Sequence, residues 1–189
     1  DASDLRHLKW KTKIPLENLA EGYAVDNGRG LFYTNVEGPG STIAIDVRTH
    51  KIVSKWNVGS SDLQGLALDA ERGFLFVACG DHVVSVDAAH DGKVVDSLQT
   101  GAGLDNIDYS PERKILYAAA SQTATLSIAE VGHAGKFHLK ATPALSRAAG
   151  TQLTSSTPQK DASSRSRANS PSARRRFRPK NGEQRGQRD

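Results

Sequence analysis

Glu21, Gln64, Asp105 and Asn106 carry oxygens that could hold a cation or accept bonds from a hydroxyl-rich ligand, and they stand at one recurring point of the chain, in the pairs Glu21-Gly22, Gln64-Gly65 and Asp105-Asn106. The alternative is that they only close the ends of strands. The histidines offer less. His82, His133 and His138 lie in different segments, and a metal site needs three or four converging ligands, whereas only His133 and His138 could meet across one hairpin. No glycine-rich phosphate loop, nucleophile elbow, His-x-x-x-His or Cys-x-x-Cys pair is present, so no catalytic residue and no metal ligand is assigned. The only cysteine, Cys79, ends the apolar run Phe74-Leu-Phe-Val-Ala-Cys79, which excludes a disulfide within the chain and fits a buried, inert thiol.

Positioning those polar residues falls to a repeat. Asp-Asn-Gly-Arg-Gly-Leu-Phe-Tyr at 26–33 returns as Asp-Ala-Glu-Arg-Gly-Phe-Leu-Phe at 69–76 and as Ser-Pro-Glu-Arg-Lys-Ile-Leu-Tyr at 110–117, at offsets of 43 and 41 residues. Units of this period bury their apolar faces by packing on neighbours. Each unit reads as four short strands. The first offers Tyr23 to Val25, Leu31 to Asn35, Thr42 to Asp46 and Ile52 to Val58; the second, Leu66 to Leu68, Phe74 to Cys79, His82 to Asp87 and Val94 to Gln99; the third, Ile107 to Tyr109, Ile115 to Ala120, Thr125 to Glu130 and Lys136 to Ala141. Asn27-Gly28 and Gly30 suit a hairpin with positive φ, Ser110-Pro111 opens the matching turn, and Asp46 and Asp87 can accept bonds from the turns that follow them. Arg29, Arg72 and Arg113 share one hairpin position and are read as packing or ion-pair residues between units. The nearly continuous apolar runs Leu66-Ala-Leu68 and Ile115-Leu-Tyr-Ala-Ala-Ala120 predict sheets covered on both faces, and small residues near one edge fit a radial array.

Tyr33-Thr34-Asn35, Thr42-Ile-Ala-Ile-Asp46, Thr49, Val53 and Val58-Gly59 resemble the YVTN repeat of bacterial β-propellers, and Leu104 to Glu130 resembles secreted or periplasmic members of that superfamily. The resemblance covers roughly residues 5–145, and only the first unit keeps the motif's Thr-Asn. It implies an all-β partial β-propeller of four-stranded antiparallel blades over residues 1–150, made of three blades preceded by the outer strand of another at Leu5 to Ile14. It also implies a periplasmic or secreted location. A closed ring of such blades has about seven, so an open arc is expected, with sheet faces that could drive self-association. The chain contains no methionine and is read as a processed product or an excerpt.

Under this resemblance Glu21, Gln64, Asp105 and Asn106 lie on the loops entering a central channel. The leading expectation is a non-enzymatic scaffold that binds a protein partner or small ligand there. The alternative is a fragment of a metal-dependent lactonase-like or quinone-dependent dehydrogenase-like enzyme, with calcium as the possible cofactor.

Charge divides the chain. Residues 1–150 hold 15 Lys and Arg against 18 Asp and Glu, whereas 151–189 hold 10 against 3. The basic pI therefore belongs to the tail, and it gives no reason to call the repeats a nucleic-acid binder. With five hydrophobic residues in 39, the tail is expected to be disordered. Three readings compete for it: an out-of-frame segment, a solvated tail, and a nucleic-acid binder in which Arg174, Arg175, Arg176, Arg178 and Lys180 neutralise phosphates beside a stacking Phe177. No apolar stretch is long enough to span a membrane.

Overall fold

The computed structural model describes residue 7, residues 10–38 and residues 40–145. The regular elements there are all strands: β1 (Ala20–Asp26), β2 (Leu31–Val36), β3 (Ser41–Asp46), β4 (Lys51–Asn57), β5 (Leu66–Asp69), β6 (Phe74–Asp87), β7 (Lys93–Ser110), β8 (Ile115–Ala120), β9 (Thr125–Val131) and β10 (Phe137–Ala141). One antiparallel sheet runs β1-β2-β3-β4, the other β10-β9-β8-β7-β6-β5.

Twelve expected strands become ten elements because two pairs run on without a break. In β6 the chain reverses at Gly80 (φ 61°), and the bond from Ala88 N to Gly73 O (3.0 Å) closes the two arms on each other. Val47 N to Gly30 O (3.0 Å) and Val131 N to Lys114 O (2.8 Å) do the same in the other units. The first arm of β7 pairs with β6, as His82 opposite Gln99; its second pairs with β8, as Asp108 opposite Tyr117. Three blades result: β1 to β4; β5, both arms of β6 and the first arm of β7; then the second arm of β7 with β8, β9 and β10. The left-handed residue of the first hairpin turn falls after the arginine, at Gly30, Gly73 and Lys114 (φ 65°, 78° and 56°), and Gly28 is not needed for it. Asp46 accepts from the amides of Arg48 and Thr49, and Asp87 from those of Ala89 and His90, as turn-forming aspartates should.

The segment expected to be an outer strand, Leu5 to Ile14, carries no strand over residues 10–14. Pro15, which follows, has no N–H to give a ladder. The segment binds by side chains instead. Ile14 and Leu16 pack with Phe32 on Val36, Ile43 and Ile45, and Lys55 pairs with Glu17 at 2.6 Å. Residues 146–189 lie outside the described residues, and with them the expectations for the basic tail, including Arg174, Arg175, Arg176, Arg178 and Lys180.

The core lies between blades. Tyr33, Ala44 and Trp56 of the first blade meet Leu75, Val77 and Val84 of the second; Phe74, Phe76 and Val83 of the second meet Tyr109, Leu116 and Val131 of the third. Alternate residues of Phe74 to Cys79 therefore face opposite neighbours, and all six are buried, which explains the unbroken apolar run. The equally apolar Ile115 to Ala120 is buried only at Leu116, Ala118 and Ala120, because among the described residues the third blade has a neighbour on one side.

Polar ties complete the stacking. The Asp69 carboxylate caps its turn through Arg72 N (3.1 Å), pairs with the Arg72 guanidinium at 2.5 Å and accepts from the Tyr109 hydroxyl at 2.7 Å. Arg72 goes on into the third blade, donating to Gly132 O (2.9 Å) and to the Tyr109 oxygen (2.6 Å). One blade earlier, Arg29 pairs with Asp26 at 2.8 Å and donates to Ala70 O at 2.7 Å. Both arginines act between blades, as expected from their position. Burial on its own would raise the Asp69 carboxyl, but the bonds from Tyr109 and Arg72 outweigh it and hold it below the usual carboxylate range. The Tyr109 phenol is pushed up to about 12, by burial first and then by its bond to Asp69.

A carboxyl depressed in the fold stabilises above its unfolded pKa, near 3.9, and loses that contribution as pH falls through the lower folded value. Asp69→Asn, which leaves Arg72 without its counter-charge, should therefore cost about 3 kcal/mol in urea unfolding at neutral pH. The same variant should show a flatter loss of stability than the native chain below about pH 4.

Candidate functional site

The inner strands of the three blades are β1, β5 and the second arm of β7, and their leading residues stack in order. A Cβ on Gly22 would stand 2.6 Å from Gln64 O, and one on Gly65 would stand 2.8 Å from Asp105 O. Gly65 N donates to that same Asp105 carbonyl at 2.8 Å. Glycine is required because the backbones touch where the blades crowd together. The equivalence read from the repeats is thus a spatial one: Glu21-Gly22, Gln64-Gly65 and Asp105-Asn106 follow one another from blade to blade.

Their side chains differ in what is left free. Glu21, Asp105 and Asn106 are exposed, and among the described residues they make no side-chain hydrogen bond or ion pair. Gln64 is engaged: its Nε2 donates to Asp62 Oδ1 at 2.8 Å, and its backbone oxygen accepts from Asn35 Nδ2 at 2.6 Å. Three of the four expected side chains are therefore unengaged at this rim, and Gln64 spends its Nε2 on Asp62 while its backbone oxygen ties the first two blades.

Two residues beside the site take roles that the sequence reading does not assign. Asn35 is fully buried, accepts from Thr42 Oγ1 at 2.7 Å and joins the first blade to the second through Gln64. Its occurrence in one unit only was the available signal, since a tie made once need not repeat. Asp62 lies against Gly80 in the turn of β6, close to Asp81, and adds negative charge near the same loops. The hydrogen bond from His82, at 2.7 Å, holds the Asp81 carboxyl below its usual range. Beneath these carboxylates burial pushes the Cys79 thiol up to about 11, so it is protonated and inert at neutral pH, as the apolar run implied.

His82 is occupied by Asp81, His133 sits in the turn before β10, and His138 lies opposite Glu130 in the ladder. Among the described residues no group of three or more His, Cys, Asp or Glu is placed to hold a metal ion. No helix there is long and apolar enough to cross a membrane.

Solved structures give the class to which these sheets belong. The chain is similar to hydrazine synthase of Kuenenia stuttgartiensis (17% identity, TM-score 0.58, covering 70% of this chain and 38% of that one). It is similar as well to a β-propeller domain from Myceliophteria thermophila (15%, TM-score 0.56, covering 68% and 41%). A putative 6-phosphogluconolactonase from Bacteroides uniformis matches at 13%, TM-score 0.60, over 70% of this chain and 42% of that one. These are antiparallel β-propeller blades, and the chain spans about two-fifths of the length of each match. No family model matches the sequence, and no curated protein matches it.

If the glycine contact holds the rim together, Gly65→Ala should cost about 2 kcal/mol by overpacking against Asp105. Gly59→Ala is the control, because a Cβ at Gly59 would meet nothing within 4 Å and only its φ of 87° opposes the change. Urea unfolding of both variants should rank Gly65→Ala as the less stable.

Proposed function

We propose that the chain is a non-enzymatic β-propeller-type scaffold, of the YVTN-repeat kind and working in the periplasm or outside the cell. In this reading it binds a protein partner or a hydroxyl-rich small ligand at Glu21, Asp105 and Asn106. One observation supports it above others. The three inner-strand approaches are locked in succession by backbone contact at Gly22 and Gly65, yet the first and third present polar side chains, Glu21, Asp105 and Asn106, that are exposed and, among the described residues, unengaged. A rigid frame with variable polar loops suits recognition, because the ligand need not pay to order the site. The carboxylates and amide accept from hydroxyls and backbone amides, and among the described residues nothing beside them is arranged as a nucleophile with its base.

The test is binding to an oligosaccharide and peptide array by the native chain and by Glu21→Ala/Asp105→Ala/Asn106→Ala. These exposed substitutions should leave stability within about 0.5 kcal/mol of native. Captured ligands should be lost at least tenfold in the variant; an array that stays blank, or binding equal in both proteins, sinks the reading. Calcium addressed to the lactonase-like alternative is separable, since an ion that binds only the folded chain raises the melting temperature with the logarithm of its concentration once that exceeds Kd. On the scaffold reading melting is unmoved by millimolar calcium.

A further inference from the structure

The two ends of the blade stack carry complementary unfinished halves of one interface. Arg29 reaches from the first blade to Ala70 O, with its guanidinium 3.1 Å from the Cβ position of Gly73, and Arg72 reaches from the second blade to Gly132 O. Arg113 stands third in this register. It is exposed and, among the described residues, makes no hydrogen bond or ion pair. Ser110 replaces the aspartate that holds the other two, so Arg113 is free to swing outward. At the opposite end, Gly30 corresponds to Gly73 but, among the described residues, has only Val47 near its Cβ position, at 3.9 Å. One end has an arginine without an acceptor turn, and the other has an acceptor turn without an arginine.

The apolar faces match in the same way. Ile115, Tyr117 and Ile128 are the alternate residues of β8 and β9 that point away from the second blade, and they are only partly covered, although the strand has the composition of one buried on both faces. On the first blade, Ile14 and Leu16 cover one part of the outward face. Tyr23 (68% exposed) and Val25 (45%) remain open there, with Tyr23 stacked on Phe32 at 5.8 Å.

We propose that the third blade of one chain docks on the first blade of a second copy, head to tail, in the register that stacks the blades within the chain, with Arg113 taking the part that Arg29 plays at Ala70 O. Arg113 donates to the turn before Gly30 of the partner, and Ile115, Tyr117 and Ile128 cover the partner's Tyr23 and Val25. Because the two patches differ, the contact is heterologous, and a pair closes by making it twice.

Sedimentation equilibrium of the full chain tests this with two variants, Arg113→Glu/Tyr117→Glu and Tyr23→Glu/Val25→Glu, each with its fold checked by circular dichroism. The native chain is expected at twice its 20.3 kDa. Each variant alone should be monomeric, having lost both junctions. An equimolar mixture should recover a heterodimer, because one intact junction remains between the unmutated patches. A monomeric native chain, a variant that still pairs with itself, or a mixture that stays monomeric overturns the proposal.

Discussion

A four-stranded sheet with two apolar faces cannot bury either of them alone, and the described structure is organised around that constraint. The hydrophobic effect acts on area removed from water, and here almost all of that area lies between blades. Tyr33 and Trp56, tilted against each other at 6.1 Å, are covered by the second blade; Phe76, with Tyr109 at 5.0 Å, closes on the third. The second blade, flanked on both sides, has the most complete core. The flanking blades show the cost of having one neighbour, as the alternating burial of β8 records.

Apolar contact alone would let blades slide, since it has no preferred direction. Directional ties fix the stacking, and they divide between the two ends of the strands. At the turns between the first and second strands of the first two blades, Arg29 and Arg72 cross to the next blade and are held by Asp26 and Asp69, which also shape their own turns. Where the inner strands begin, the register is set by backbone against backbone at Gly22 and Gly65, with Asn35 adding a buried bond. Between them the ties leave the loops no freedom to move as independent pieces. A pattern of unlike side chains on such loops is therefore presented in one fixed arrangement.

Much of this was legible in the sequence because it repeats. The strands, the aspartates that close their turns and the arginines between units all come from positions compared across three copies, and each is a local or nearest-neighbour matter. What could not be read was made once. Asn35 reaching Gln64, or Tyr109 taking the place of Leu68 and Val25 in the repeat to complete the Asp69 pair, depends on the distance between two particular blades. The rim shows the same limit: Gln64 looks as free as Glu21 in the sequence, and only the fold reveals Asp62 accepting from its Nε2. Alternation around Trp10 fits a strand but supplies no ladder partner, and residues 10–14 form no strand.

The same contrast separates scaffold from recognition. A residue repeated in register is one the stacking itself demands, and its bonding capacity is spent there: the Asp69 carboxylate meets its own turn, Arg72 and Tyr109, and little remains for a ligand. Glu21 and Asp105 share one place in the repeat with Gln64, and Asn106 stands where the other units have Gly22 and Gly65, so the frame does not require any one of these side chains. Burial and hydrogen bonding leave them exposed and unengaged on a rim whose backbone is among the most tightly constrained parts of the fold. Side chains that the architecture does not use, held by backbone that it cannot relax, are where selection for a ligand can act without loss of the fold.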